Sequence, residues 1–105
     1  MNINEVKKTI CGPMIPVITN LNNDLSIDHA GIRNEVQYLI EHGIQKGRGV
    51  LIAAGAGGDF NMLNIEERKI VCRTIVEAAE GRVPVLVGAQ DTNVNNIIEM
   101  AKFAE

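Results

Sequence analysis

No apolar run in the chain approaches the roughly 20 residues needed to cross a bilayer, so no membrane partner is expected. The opening Met1-Asn2-Ile3-Asn4-Glu5-Val6-Lys7-Lys8 leads into no apolar segment of the kind that marks a secretory signal. A cytoplasmic location is therefore the expectation. There is no excess of positive charge: 10 lysines and arginines stand against 13 aspartates and glutamates, a formal net charge of -3. A nucleic-acid surface needs clustered basic residues, and no nucleic-acid partner is expected. Cysteine is scarce. Cys11 and Cys72 are far apart and form no C-x-x-C pair, which reads as two small, half-buried apolar side chains and not as a redox or metal site. His29 and His42 fall on one predicted helix without H-E-x-x-H spacing, so they read as solvated positions, and no metal is expected.

What is present is ordinary globular composition, 46% hydrophobic and 22% charged over 105 residues, arranged as short apolar runs alternating with longer amphipathic ones. A brief helix over Ile3 to Ile10 is stopped by Gly12-Pro13, and Met14 to Thr19 follows as a first strand with an interior proline. A first long helix is expected after Ser26 as N-cap. Its stripe of Ile32, Val36, Leu39 and Ile40 follows positions i, i+4, i+7 and i+8, and Gly43 ends it. Tyr38, mid-helix, is expected to pack between helix and sheet. Val50-Leu51-Ile52-Ala53-Ala54 is continuously apolar, as a parallel strand covered on both faces should be.

A second long helix follows Asn64, with Glu67 three residues later in capping-box spacing. It carries Val71, Ile75, Ala78 and Ala79 and ends at Gly81. Val83 to Val87 reads as a third strand, its proline near the start. A last helix starts near Thr92 or Asn93, with Ile97, Ala101 and Ala104 on its apolar side. Strand-helix repeated three times with short connections predicts a parallel sheet with right-handed crossovers.

The least ordinary segment is Gly55-Ala56-Gly57-Gly58-Asp59-Phe60, directly after the second strand. Ligands of parallel α/β proteins bind at the carboxyl ends of strands, and glycines there let backbone N–H groups approach an anion. A flexible turn is the other reading of the same residues. A dinucleotide fingerprint G-x-G-x-x-G fails, because Phe60 stands where the last glycine belongs, and no G-K-[ST] follows. Thr19, after the first strand, offers a hydroxyl to the same end. Gly88-Ala89-Gln90-Asp91-Thr92, after the third, is either a turn with a cap or a further polar loop of the site.

Taken in order, these segments resemble the dihydrodipicolinate synthase and N-acetylneuraminate lyase family. The resemblance rests on Pro16-Val17-Ile18-Thr19, then Asp24; on Gly55 to Asp59, Leu63 and Glu66-Glu67-Arg68; on Gly81-Arg82-Val83-Pro84-Val85 and Gly88; and on Ala101-Lys102-Phe103-Ala104-Glu105. It is collinear over nearly the whole chain. It implies a (β/α)8 TIM barrel of which residues 1–105 are the first three βα units, an incomplete N-terminal part of a single domain. A complete barrel takes about 250 residues.

The resemblance also implies class I aldolase or lyase chemistry. An active-site lysine forms a Schiff base with pyruvate or a related 2-oxo acid, with no cofactor, and a complete member is a homotetramer. The second-strand loop receives the substrate carboxylate, so the substrate-binding candidates are Ala56, Gly57, Gly58 and Thr19. The loop's paired threonines are here Ala56 and Gly57, and its glutamate is Asp59. A hydroxyl proton relay cannot run through the first two positions, which turns the expectation toward an aldolase, hydratase or dehydratase variant. No catalytic residue is expected within the chain: Lys7, Lys8, Lys46, Lys69 and Lys102 lie on predicted helices or in a helix-to-strand loop. The chain alone is expected to be inactive. The alternatives are a non-catalytic assembly or binding module of a split barrel and a dinucleotide-binding unit.

Overall fold

A computed structural model describes all residues 1–105. Three short parallel strands, β1 (Met14–Pro16), β2 (Val50–Ala53) and β3 (Val85–Val87), lie in the order β1-β2-β3. Ile15 is in register with Leu51, and Ile52 with Leu86. Four helices accompany them: α1 (Ile3–Thr9), α2 (His29–Glu41), α3 (Ile65–Ala79) and α4 (Val94–Ala104). Successive parallel neighbours joined by right-handed crossovers place the connecting helices on one side of a sheet. The core agrees: Ile32, Val36 and Ile40 of α2 and Val71, Cys72 and Ile75 of α3 cluster with Leu51, Ala53 and Met100. Ile15, Val85 and Val87 pack against this cluster, whereas Met14 is 51% exposed and Ile52 and Leu86 are half-buried on the opposite face.

The helix ends follow from their caps. Asn64 accepts from the Glu67 N–H at 2.9 Å while the Glu67 carboxylate accepts from the Asn64 N–H at 3.0 Å, a complete capping box on α3. Asn2 and Glu5 do the same for α1. The N-cap of α2 is not Ser26 but Asp28, whose side chain accepts from the Gly31 N–H at 2.9 Å. Ser26 is drawn into a turn by Asp24, bonding its carboxylate through both N–H and hydroxyl, and Ile27 makes a bridge to Leu21 before the helix can start.

Four further expectations are corrected. Pairing in β1 ends at Pro16, with Val17 N–H still donating to Ile52 O, so the N–H that the proline lacks is one that would point away from β2. Tyr38 is 59% exposed and stacks on His42, since its position on the helical wheel lies away from the Ile32–Val36–Ile40 stripe. In α4 the inward side is Ile97, Met100 and Phe103, with Ala101 and Ala104 exposed. His29 is half-buried rather than solvated: its Nδ1 lies 2.9 Å from the Thr74 hydroxyl. That hydroxyl already donates to Ile70 O, so His29 Nδ1 carries the proton of the pair.

Neither cysteine is half-buried as expected, because Cys11 lies in the exposed link between α1 and β1 and Cys72 on the buried stripe of α3. Cys11 is exposed and Cys72 is buried, and burial pushes the Cys72 thiol from 9.0 up to about 11, with the positive charge of Arg68 opposing. One equivalent of a disulfide reagent is expected to react at pH 8 in the native protein, and a second only in denaturant. Because the folded pKa is the higher one, the unfolded chain ionises first. Stability is therefore expected to fall as pH rises from 9.0 toward 11, measurable by urea titration.

Candidate functional site

The segments that leave β1, β2 and β3 meet at the carboxyl end of the sheet. After β2 the chain turns abruptly: Ala54, fully buried, takes φ 51°, a left-handed conformation that side-chain-bearing residues rarely adopt. Gly55 then opens a 3-10 turn over Ala56–Gly58, closed by Gly58 N–H to Gly55 O at 3.0 Å and Asp59 N–H to Ala56 O at 3.2 Å. Asp59 is again left-handed, at φ 56°, and leads into a second 3-10 turn, Phe60–Met62.

Two N–H groups at the head of this turn, those of Ala56 and Gly57, have no backbone acceptor, and both residues are exposed. Adjacent unpaired donors on a tight glycine turn form a concave site suited to an anion. Gly57 is required here by space: a Cβ would lie 2.7 Å from the Pro16 side chain. At Gly58 a Cβ would lie 2.8 Å from Val17 O. The turn is thus pressed onto the end of β1, and Thr19 latches it, its buried hydroxyl donating to Gly58 O at 2.7 Å. The four predicted positions, Thr19, Ala56, Gly57 and Gly58, therefore come together. Thr19 gives its hydroxyl proton to the loop. Beside them a hollow of about 310 Å³ runs from Thr19 and Asp59 toward Leu21, Leu25 and Met62.

The loop after β3 is tied to the same place. Gly88 N–H donates to Ala53 O at 2.8 Å, and Gln90 Nε2 donates to Ala54 O at 2.8 Å. Arg68, on the first turns of α3 and 1% exposed, holds that loop from behind. Its Nη2 donates to Gly88 O at 3.1 Å and Gln90 O at 2.9 Å, and Nη1 pairs with Asp91 at 2.9 Å. The guanidinium lies 5.3 Å from the centre of the Phe60 ring, and its Nε is the one buried side-chain N or O atom without a hydrogen-bond partner. Asp91 is held below the usual carboxylate range, chiefly by the Asn93 N–H, with Asn96 and Arg68 adding to it.

Gln90 lies in the loop read either as a turn with a cap or as a further polar loop of the site, whereas the part played by Arg68 was not legible. A signal for Arg68 does exist: it precedes Val71, Cys72 and Ile75 at i+3, i+4 and i+7, so it falls on the buried stripe. No set of three or more His, Cys, Asp or Glu side chains is placed to hold a metal ion, and no helix is long and apolar enough to cross a membrane.

Residues 9–105 match the model of the dihydrodipicolinate synthetase family. The chain belongs to that family. A 4-hydroxy-tetrahydrodipicolinate synthase of Aromatoleum aromaticum is 32% identical over 96 residues, which are 91% of this chain and 32% of that protein. Among solved structures, YagE of Escherichia coli K12, a prophage protein of the dihydrodipicolinic acid synthase family in complex with pyruvate, superposes with a TM-score of 0.81. It is 34% identical and covers 89% of this chain and 30% of its own. The chloride-inhibited dihydrodipicolinate synthase of Acinetobacter baumannii, also complexed with pyruvate, gives 0.83 at 27% identity, covering 91% of this chain and 32% of its own. The chain therefore spans about a third of the length of the relatives it matches. Within the dihydrodipicolinate synthetase family its structural neighbours are TIM-barrel proteins, and its own three parallel strands are α/β in the same sense.

Proposed function

We propose that the chain is the N-terminal part of a (β/α)8 barrel and carries the carboxylate-binding loop of a Schiff-base lyase acting on pyruvate or a related 2-oxo acid. The observation that carries this is the pair of unengaged N–H groups, Ala56 and Gly57, on the turn at the carboxyl end of β2. Two adjacent N–H donors match the two oxygens of a carboxylate, and hydrogen bonds to a charged acceptor are about twice as strong as neutral ones. Thr19 serves the ligand indirectly, by fixing Gly58. The two relatives complexed with pyruvate supply the substrate class by family likeness.

In this chemistry a lysine amine adds to the 2-oxo carbon and water leaves. The protonated imine then accepts electrons from the breaking carbon–carbon or carbon–oxygen bond as an enamine. No lysine here stands at the carboxyl end of a strand. Lys7 and Lys8 are on α1, Lys102 is on α4, and Lys46 lies between α2 and β2. Lys69, on α3, is ion-paired with Glu99 at 2.6 Å and with Glu66. The amine is accordingly supplied by a strand beyond these three, and this chain alone is inactive.

Titration with pyruvate, followed by backbone amide NMR, is expected to move the Ala56 and Gly57 signals first and furthest. Shifts elsewhere with those two unmoved would sink the carboxylate reading. Borohydride added with pyruvate should leave the mass of this chain unchanged. It should mark a polypeptide supplying strands four to eight of the family barrel when the two are mixed. An adduct on this chain would overturn the inactivity claim, and no adduct on either would remove the Schiff-base assignment.

A second reading, an assembly module of a split barrel without catalytic duty, is favoured by the open edges. β1 and β3 each have one unpaired side, and hollows of about 380 and 420 Å³ lie along Val83–Leu86 and beside Val87. Unpaired edges invite strand addition. Sedimentation of the chain with the complementary polypeptide separates the readings: a stable complex that does not trap pyruvate supports assembly alone.

A further inference from the structure

We infer that Gln90 is a positioning residue of the anion cradle: its carboxamide holds the left-handed Ala54 carbonyl and thereby sets the direction of the Ala56 and Gly57 N–H groups. This rests on the carboxylate reading for its functional consequence, though not for its structural one. Ala54 is the residue at which the chain leaves β2 and enters the turn, and it does so at φ 51° with no glycine to ease it. A conformation of that kind persists only where the surroundings over-determine it.

Two contacts do so. Gly88 packs so closely under the Ala54 carbonyl that a Cβ there has no room, and Gln90 Nε2 donates to the same carbonyl oxygen at 2.8 Å. Gln90 is itself anchored, because its main-chain oxygen accepts from Arg68 Nη2 at 2.9 Å. A buried guanidinium on α3 thus fixes a loop after β3, and one exposed side chain of that loop fixes the turn after β2. Ligand affinity rises when donors are ordered before the ligand arrives, since less ordering remains to be done on binding.

The side chain of Gln90 makes no other hydrogen bond, and the residue is exposed, so it can be changed without opening the core. Gln90→Met keeps the length and removes the donor; Gln90→Lys restores a donor of similar reach. In the unsubstituted chain, backbone order parameters at Ala56 and Gly57 should be near 0.85, the rigid value. In Gln90→Met they should fall below about 0.6 while the urea midpoint drops by no more than about 0.5 M, the scale of one part-buried hydrogen bond, and Gln90→Lys should recover the order parameters. Pyruvate affinity, read from the Ala56 and Gly57 amides, should drop about fivefold or more in Gln90→Met.

Unchanged order parameters in Gln90→Met overturn the inference and leave the cradle standing. A urea midpoint that falls by more than about 1 M together with the order parameters also overturns it, by showing a general structural role. If pyruvate moves neither amide in the unsubstituted chain, the carboxylate reading fails. The order parameters then still decide whether Gln90 positions the turn.

Discussion

Arg68→Met is expected to destabilise the chain by about 3 kcal/mol, chiefly because two carbonyl oxygens lose the donor that a buried guanidinium gives them. The reasoning counts what is left behind. Gly88 O and Gln90 O lose their donor, and a buried polar group without a partner costs about 1–3 kcal/mol. Asp91 loses its counter-charge but keeps the Asn93 N–H and the Asn96 amide, and it retains some solvent contact. Offsetting this, the change removes the unpartnered Nε from the interior.

At a urea slope of about 2 kcal/mol per molar, the midpoint should move down by about 1.5 M. Against a typical total stability of about 5–15 kcal/mol, that is a large fraction. Arg68→Lys keeps the charge but cannot span three acceptors in two directions, so it should fall between. A midpoint within 0.3 M of the parent, roughly the scatter of such measurements, would show that the guanidinium is not structural. Asp91 adds a pH signature. Its folded pKa is below the ordinary 3.8, so its contribution is present above pH 3.8 and lost as pH falls through the lowered value. Arg68→Met should make that acid limb shallower.

The strands and long helices could be read from the sequence because burial leaves a simple trace. Val50 to Ala53 is apolar without alternation, with Leu51 and Ala53 buried toward the helices and Val50 buried and Ile52 half-buried on the other face, and Ile32, Val36 and Ile40 recur at helical spacing because one side faces the sheet. The Asn64–Glu67 cap was visible for the same reason: both halves of the interaction lie within four residues. What could not be read depends on partners distant in sequence. Arg68 meets Gly88, Gln90 and Asp91 only after a crossover, and Gln90 meets Ala54 only because β3 lies beside β2.

Local competition also hides outcomes. Ser26 and Asp28 are both good caps, and the choice was made by Asp24, which takes the serine hydroxyl. The candidate site divides along the same line. Its glycines are conspicuous in sequence, whereas the reason for each lies in tertiary approach, Gly57 to Pro16 and Gly58 to Val17.

The same distinction between local and tertiary glycine predicts unequal costs at two positions. Gly43 has φ 103° with open space where a Cβ would go, so Gly43→Ala meets only backbone strain, about 1–2 kcal/mol for a left-handed residue. Gly88 does not have a positive φ, yet its Cβ would run into the Ala54 carbonyl oxygen and carbon and lie 2.8 Å from Gln90 Oε1. Gln90 can swing away, but the Ala54 carbonyl cannot. It belongs to the buried, left-handed turn out of β2, and the Gly88 N–H donates to Ala53 O one residue before it. Gly88→Ala must therefore separate the end of β3 from β2 or twist Ala54 out of its conformation. Its cost is expected at about 3 kcal/mol, the upper end of overpacking. The loss should be local as well as global: the Gly88 and Gly58 amides should exchange with solvent faster than those of α3. A Gly88→Ala protein as stable as the parent, with Gly43→Ala the weaker of the two, would mean that the β2 and β3 loops are not held against each other. The anion cradle would then lack the support that its geometry requires.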